Sequence, residues 1–99
     1  MAEIRWSKLA VSDFEDIISY ISIDSEENAR LFVFRIIDSV ETMAIFPYSG
    51  RIVPELNNEL IREKFFNNYR IIYRIKENVM EVARVLHSDR ELPELELNE

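Results

Sequence analysis

Cysteine is absent from these 99 residues, histidine, tryptophan and glycine occur once each, and proline occurs three times. Without cysteine there is no disulfide framework and no thiolate metal site. With one histidine the usual ligands of a structural zinc site are missing too. No metal and no cofactor is therefore expected. No apolar run approaches the length of a membrane span. The N-terminus, Met1-Ala2-Glu3-Ile4-Arg5-Trp6, lacks the charged-then-apolar layout of a secretory signal. These features point to a cytoplasmic protein with no membrane partner.

Positive charge is also scarce. The formal net charge of −7 argues against non-specific nucleic-acid binding, which depends on neutralising phosphates. The imbalance is uneven along the chain. Residues 1–58 hold five Lys/Arg against ten Asp/Glu, residues 59–90 hold seven against five, and residues 91–99 hold none against four. A mildly basic segment thus sits inside an acidic protein.

What is present is enough apolar material for one core: 47 % hydrophobic residues with 31 % charged. The length allows a single domain, expected over residues 1–90, with an acidic tail over 91–99. Glu3 to Trp6 is a short strand candidate. A helix follows from Ser7 or from Ser12, where Ser12-Asp13-Phe14-Glu15 fits a capping box. Ala10, Phe14, Ile17, Ile18 and Ile21 form its apolar stripe, and it breaks around Ile23 to Ser25. Ser25 caps a second helix, with Glu26 and Glu27 at the positive end of its dipole. Ala29, Phe32, Val33, Ile36, Ile37, Val40 and Met43 form the apolar face, and Pro47 stops the helix after about Phe46. So short a connection predicts an antiparallel helical hairpin.

Pro47 to Asn58 reads as a loop. Its Gly50 is expected at a position of positive φ. Strands are predicted over Leu60 to Phe66, Tyr69 to Lys76 and Val79 to His87, with tight turns at Asn67-Asn68 and Glu77-Asn78. In the middle strand Tyr69, Ile71, Tyr73 and Ile75 share one face, and Arg70, Ile72, Arg74 and Lys76 share the other. Trp6, Tyr69 and Tyr73 are read as packing residues. The tail after Glu91 carries spaced leucines, and it is either disordered or weakly docked back. The fold class is α+β, in the order β-α-α-β-β-β. The helical hairpin covers one face of a mostly antiparallel sheet, and the other face is left open as a binding surface.

Several segments, in this order and spacing, resemble the RelE/ParE toxins of type II toxin–antitoxin systems. They are Trp6-Ser7, Asp13 to Ile21, Ser25 to Ala29, the run Pro47-Tyr48-Ser49-Gly50-Arg51-Ile52-Val53-Pro54-Glu55-Leu56, Ile61-Arg62-Glu63, Tyr69 to Ile75 and Arg84 to Arg90. The resemblance implies a toxin held inactive by an antitoxin, which the neighbouring gene would encode. It also implies one of two activities. ParE-like members inhibit DNA gyrase, while RelE-like members cut mRNA on the ribosome.

The nuclease activity needs a base for the 2′-hydroxyl, an acid for the leaving oxygen and cations for the developing charge. By resemblance Arg70 would stabilise the phosphate, His87 would be the catalytic histidine and Glu55 the general base. Arg51, Arg62, Arg74, Arg84 and Arg90 would contact target or phosphate. This chain departs from the nuclease pattern. Ser88 stands where a tyrosine often follows, and a lysine-rich loop is missing. Together with the acidic charge, which repels ribosomal RNA at long range, these departures favour the gyrase branch.

Overall fold

A computed structural model describes residues 1–93 and 95. The elements are β1 (Glu3–Trp6), α1 (Lys8–Asp24), α2 (Glu26–Ile45), a one-turn 3-10 helix (Pro47–Ser49), β2 (Arg51–Ile52), β3 (Ile61–Phe66), β4 (Tyr69–Lys76) and β5 (Val79–His87). The fold is the expected α+β arrangement. The strands form one sheet in the order β1-β5-β4-β3-β2, with β1 parallel to β5 and every other pair antiparallel.

Ser7, not Ser12, starts α1: its Oγ accepts from Ala10 N at 3.0 Å and donates to Ala83 O at 2.7 Å. One hydroxyl thus caps the helix and ties it to β5. Ser25 is the whole connection between the helices. Its N–H donates to Ile21 O, closing α1, and its Oγ accepts from Asn28 N at 3.1 Å, opening α2. A one-residue junction forces the chain to reverse, which makes the hairpin.

The helices bury their stripes against the face of the sheet formed by Ile71, Tyr73, Ile75, Met80, Val82 and Val85. An aromatic row runs through this layer. Trp6 stacks on Phe14 at 5.3 Å, and Phe32 meets Phe14, Phe66 and Tyr69. Tyr73 is fully buried and Tyr69 half-buried.

Two expectations are corrected. The segment after Pro47 is not all loop, because Arg51 and Ile52 pair with Glu63 and Arg62 as an edge strand. Gly50 does not have positive φ; its φ is −73°. Glycine is required there by space, since a Cβ would collide with Tyr73 Oη and lie 2.8 Å from Glu63 O. Among the described residues the left-handed positions are Asn57, Asn67 and Glu77, two of them being the first residues of the β3–β4 and β4–β5 turns. Glu77 shows that the turn geometry overrides residue preference here.

The pairing of β4 with β5 shifts register at Ile72/Tyr73: Ile72 faces Arg84, whereas Tyr73 faces Val82, leaving Ala83 as an extra residue. This bulge changes the phase of the alternation. Val82 and Val85 face the helices, while Ala83 and Leu86 reach the opposite side. There, Val53, Ile61, Ile72, Ala83 and Leu86 form a second apolar cluster, and Leu92 and Leu95 pack on it. Of the tail, Glu94 and residues 96–99 lie outside the described residues.

Candidate functional site on the open sheet face

Alternation along β3 and β4 sends Glu63, Phe65, Arg70, Ile72 and Arg74 to the side away from the helices. Arg70 comes to lie between two carboxylates. Its Nη1 donates to Glu63 Oε1 and its Nη2 to Glu55 Oε2, both at 2.9 Å. The other Glu63 oxygen accepts from Arg51 Nε at 2.6 Å. The result is a line of alternating charge, Arg51–Glu63–Arg70–Glu55, across β2, β3, β4 and the loop after β2. Its middle is dry and its ends are wet. The side chains of Glu63 and Arg70 are 0 % and 6 % exposed, against 59 % for Arg51 and 43 % for Glu55.

This geometry sets the chemistry. The hydrogen bond from Arg70 is the main cause that holds the Glu55 carboxyl below its ordinary value, which makes Glu55 a weaker base. The two arginines are balanced by two carboxylates, so a phosphate would have to displace Glu55 or Glu63 to reach Arg70. Arg70 Nε is buried with no hydrogen-bond partner among the described residues.

His87 does not join this group. It pairs in register with Tyr69, and the two rings meet edge to face at 5.7 Å. Tyr69 in turn packs on Phe32 of α2. The imidazole is therefore on the helix side of the sheet. Its Nδ1 accepts from Asp89 N at 3.3 Å. The residue opposite Arg70 is Leu86.

The remaining arginines do varied work. Arg62 donates to the carbonyls of Glu59, Tyr48 and Gly50 and lies over the Tyr48 ring at 5.1 Å, fastening the turn before β2. Arg51 lies over the half-exposed Phe65 ring at 5.1 Å. Arg74 approaches Glu81 at 3.8 Å. Arg84 is buried and held by both oxygens of Asp13 at 2.7 and 2.8 Å. Arg90 is exposed beside His87, in a cleft that also contains Asp13, Asp16 and Tyr20. The structure thus brings together Arg51, Arg70 and Glu55, and leaves His87, Arg84 and Arg90 elsewhere.

Two residues central to this arrangement were not singled out from the sequence. Glu63 had one visible signal: it occupies the alternating phase of Ile61 and Phe65, where an acid needs a buried cation. Asp13 lies inside the candidate capping box headed by Ser12, which hides its role; it accepts from Val85 N at 3.0 Å as well as from Arg84, and serves the edge of β5 left uncovered beyond β1.

The family model described as "ParE toxin of type II toxin-antitoxin system, parDE" matches residues 4–92. This chain belongs to the ParE toxin family. It is 32 % identical over 93 residues to a Sinorhizobium fredii (strain NBRC 101917 / NGR234) protein named "Putative toxin Y4kP", covering 93 % of this chain and 94 % of that one. Its fold is similar to a chain of the solved structure "Chromosomal ParDE TA system from P. aeruginosa". The TM-score is 0.74 at 18 % identity, over 90 % of this chain and 98 % of the other. As a ParE-family toxin it carries the Arg51–Glu63–Arg70–Glu55 line within the matched span. Among the described residues no helix is long and apolar enough to cross a membrane.

Proposed function

We propose that this ParE-family toxin acts by binding and inhibiting DNA gyrase, and that a cognate antitoxin neutralises it in a toxin–antitoxin complex. The observation that carries the reading is the separation of Arg70 from His87 by the sheet itself. In-line cleavage of RNA needs acid, base and cation converging on one phosphate. Here the candidate cation is neutralised by Glu55 and Glu63, and the candidate imidazole is on the other face. Binding a protein needs no such convergence. The surface around β2 and β3 offers what protein recognition uses: arginine over aromatic, at Arg51–Phe65 and Arg62–Tyr48. Tyr20, Ile23, Phe34 and Phe46 are large apolar side chains left exposed on or beside the helical hairpin, which supports an antitoxin covering that side.

The test is supercoiling of relaxed plasmid by gyrase with and without the purified toxin, beside a translation reaction read for mRNA cleavage. Loss of supercoiling, with cleaved plasmid accumulating, is expected. Unaffected gyrase at saturating toxin together with ribosome-dependent mRNA cuts would replace this reading with the nuclease one.

A further inference from the structure

Strand β1 ends the sheet on one side. It runs parallel to β5, and Glu3 N and Ser7 N both donate toward β5, to Asn78 O at 2.7 Å and Val82 O at 3.0 Å. Alternate residues of a strand turn their backbone groups to opposite sides, so Ile4 turns its N–H and C=O outward. Among the described residues no strand pairs with that side. Folds commonly blunt such an edge with proline, a bulge or unmatched charge. β1 contains no proline, and its register with β5 is unbroken. Its charges are of opposite sign. Ile4 and Trp6 pack toward the helices, so Glu3 and Arg5 share the open face, where their side chains are 60 % and 63 % exposed. Past Ile4, Ala2 N is taken by Ala44 O at 3.0 Å. That bond brings the end of α2, with the half-exposed Ile45, to the same edge.

We infer that the outer edge of β1 is an interface for a second copy of this chain, paired antiparallel about a two-fold axis at Ile4, so that two sheets become one. A two-fold contact uses one patch on both molecules, and that patch must complement itself. Glu3-Ile4-Arg5 does so. With the axis at Ile4, Glu3 of each copy stands opposite Arg5 of the other. With the axis at Glu3 or at Arg5, like charges stand directly opposite, which is destabilising. Backbone direction selects the same register. Ile4 exchanges both N–H···O bonds with Ile4 of the other copy. Glu3 and Arg5 then take the non-hydrogen-bonded positions, where facing side chains are closest. The contact is short, so the association is a weak one. It uses neither the Arg70 line nor the outer face of the helical hairpin, and it does not depend on whether gyrase is the target.

Sedimentation equilibrium tests this directly. The purified toxin should have the mass of the 11.8 kDa chain when dilute and approach twice that mass at high micromolar concentration. Deuterium exchange of the Ile4 amide should slow over the same range. Glu3 faces Val79 in register, so Glu3→Arg changes an exposed position with no charge beside it on β5. It puts like charges opposite twice and should weaken self-association at least about tenfold, with an unaltered circular dichroism spectrum. An equimolar mixture of Glu3→Arg and Arg5→Glu chains should associate again, because each arginine then faces a carboxylate across the axis. A monomer at every concentration would overturn the inference. So would a dimer that Glu3→Arg leaves intact, which would place the contact elsewhere. An Ile4 amide protected only when antitoxin is added would assign the edge to a strand of that protein and overturn it too.

Discussion

Glu63 and Arg70 face different neighbours but share one dry hydrogen bond, 2.9 Å from Nη1 to Oε1, beneath the open face of the sheet. Each has one further partner, Arg51 on Glu63 and Glu55 on Arg70, and both of those lie at the wet ends of the line. Deleting one member of such a pair strands the other, at a cost of about 3–5 kcal/mol. Glu63→Ala should therefore be strongly destabilising in urea unfolding. Arg51→Ala, which removes the mostly exposed partner of the same carboxylate, should cost about 1 kcal/mol or less. The Glu63→Leu/Arg70→Leu double variant should be more stable than either single variant; a double variant less stable than both would contradict the account.

Gly50 and Tyr73 form a second coupled pair. Tyr73 Oη donates to Pro47 O at 2.6 Å and accepts from Gly50 N at 3.0 Å. Gly50→Ala should lose about 1–3 kcal/mol by overpacking against that hydroxyl. The backbone itself is not the obstacle, because φ is ordinary. Tyr73→Phe should cost about 1–2 kcal/mol in lost hydrogen bonds. In that background Gly50→Ala should be cheaper, so a double-mutant cycle should be non-additive. Strict additivity would place the strain elsewhere.

Asp13 joins α1 to β5 through Arg84 and Val85 N–H. Asp13→Ala leaves a buried guanidinium and a sheet N–H unpaired. A loss of about 3–5 kcal/mol is expected, lowering the melting temperature by more than about 10 °C in a domain of this size. Ser12→Ala, at the position that mimics a cap in sequence, should leave it nearly unchanged.

The Glu55 carboxyl titrates below its ordinary value because Arg70 hydrogen-bonds it. The folded value is depressed, so its stabilising contribution is complete above the unfolded value. It is lost as pH falls through the folded value. Carboxyl NMR titration should show a low midpoint for Glu55 that rises in Arg70→Gln. A midpoint unmoved by that change would mean the contact is not maintained in solution.

His87 packs on Tyr69 and stands apart from the charged line, so under the proposed function His87→Ala should inhibit gyrase as fully as the wild type does. Its expected cost is about 0.5–1.5 kcal/mol of aromatic packing. Loss of inhibition in a folded His87→Ala variant would bring the imidazole back into the functional surface.

Much of this was legible from local pattern. The apolar stripes located both helices, Ser25 marked their junction, and alternation in Tyr69 to Ile75 sorted core from open face. The errors have a common cause. β2 is two residues long and exists only because Glu63 and Arg62 lie beside it. Gly50 was read through its own backbone, whereas its constraint comes from a tyrosine 23 residues away.

The sequence by itself determined the order of the two helices and the four longer strands, the helical hairpin and the family, because these follow from periodicity, capping and the spacing of short segments along the chain. Tertiary structure decided which charges meet. Arg70 could have faced a phosphate or a carboxylate on sequence grounds alone, and His87 could have stood beside it. Strand register brought Glu63 near Arg70, and the pleat sent His87 to the other side. Such pairings depend on how separate segments align in space, and a single chain read in order does not contain that distance.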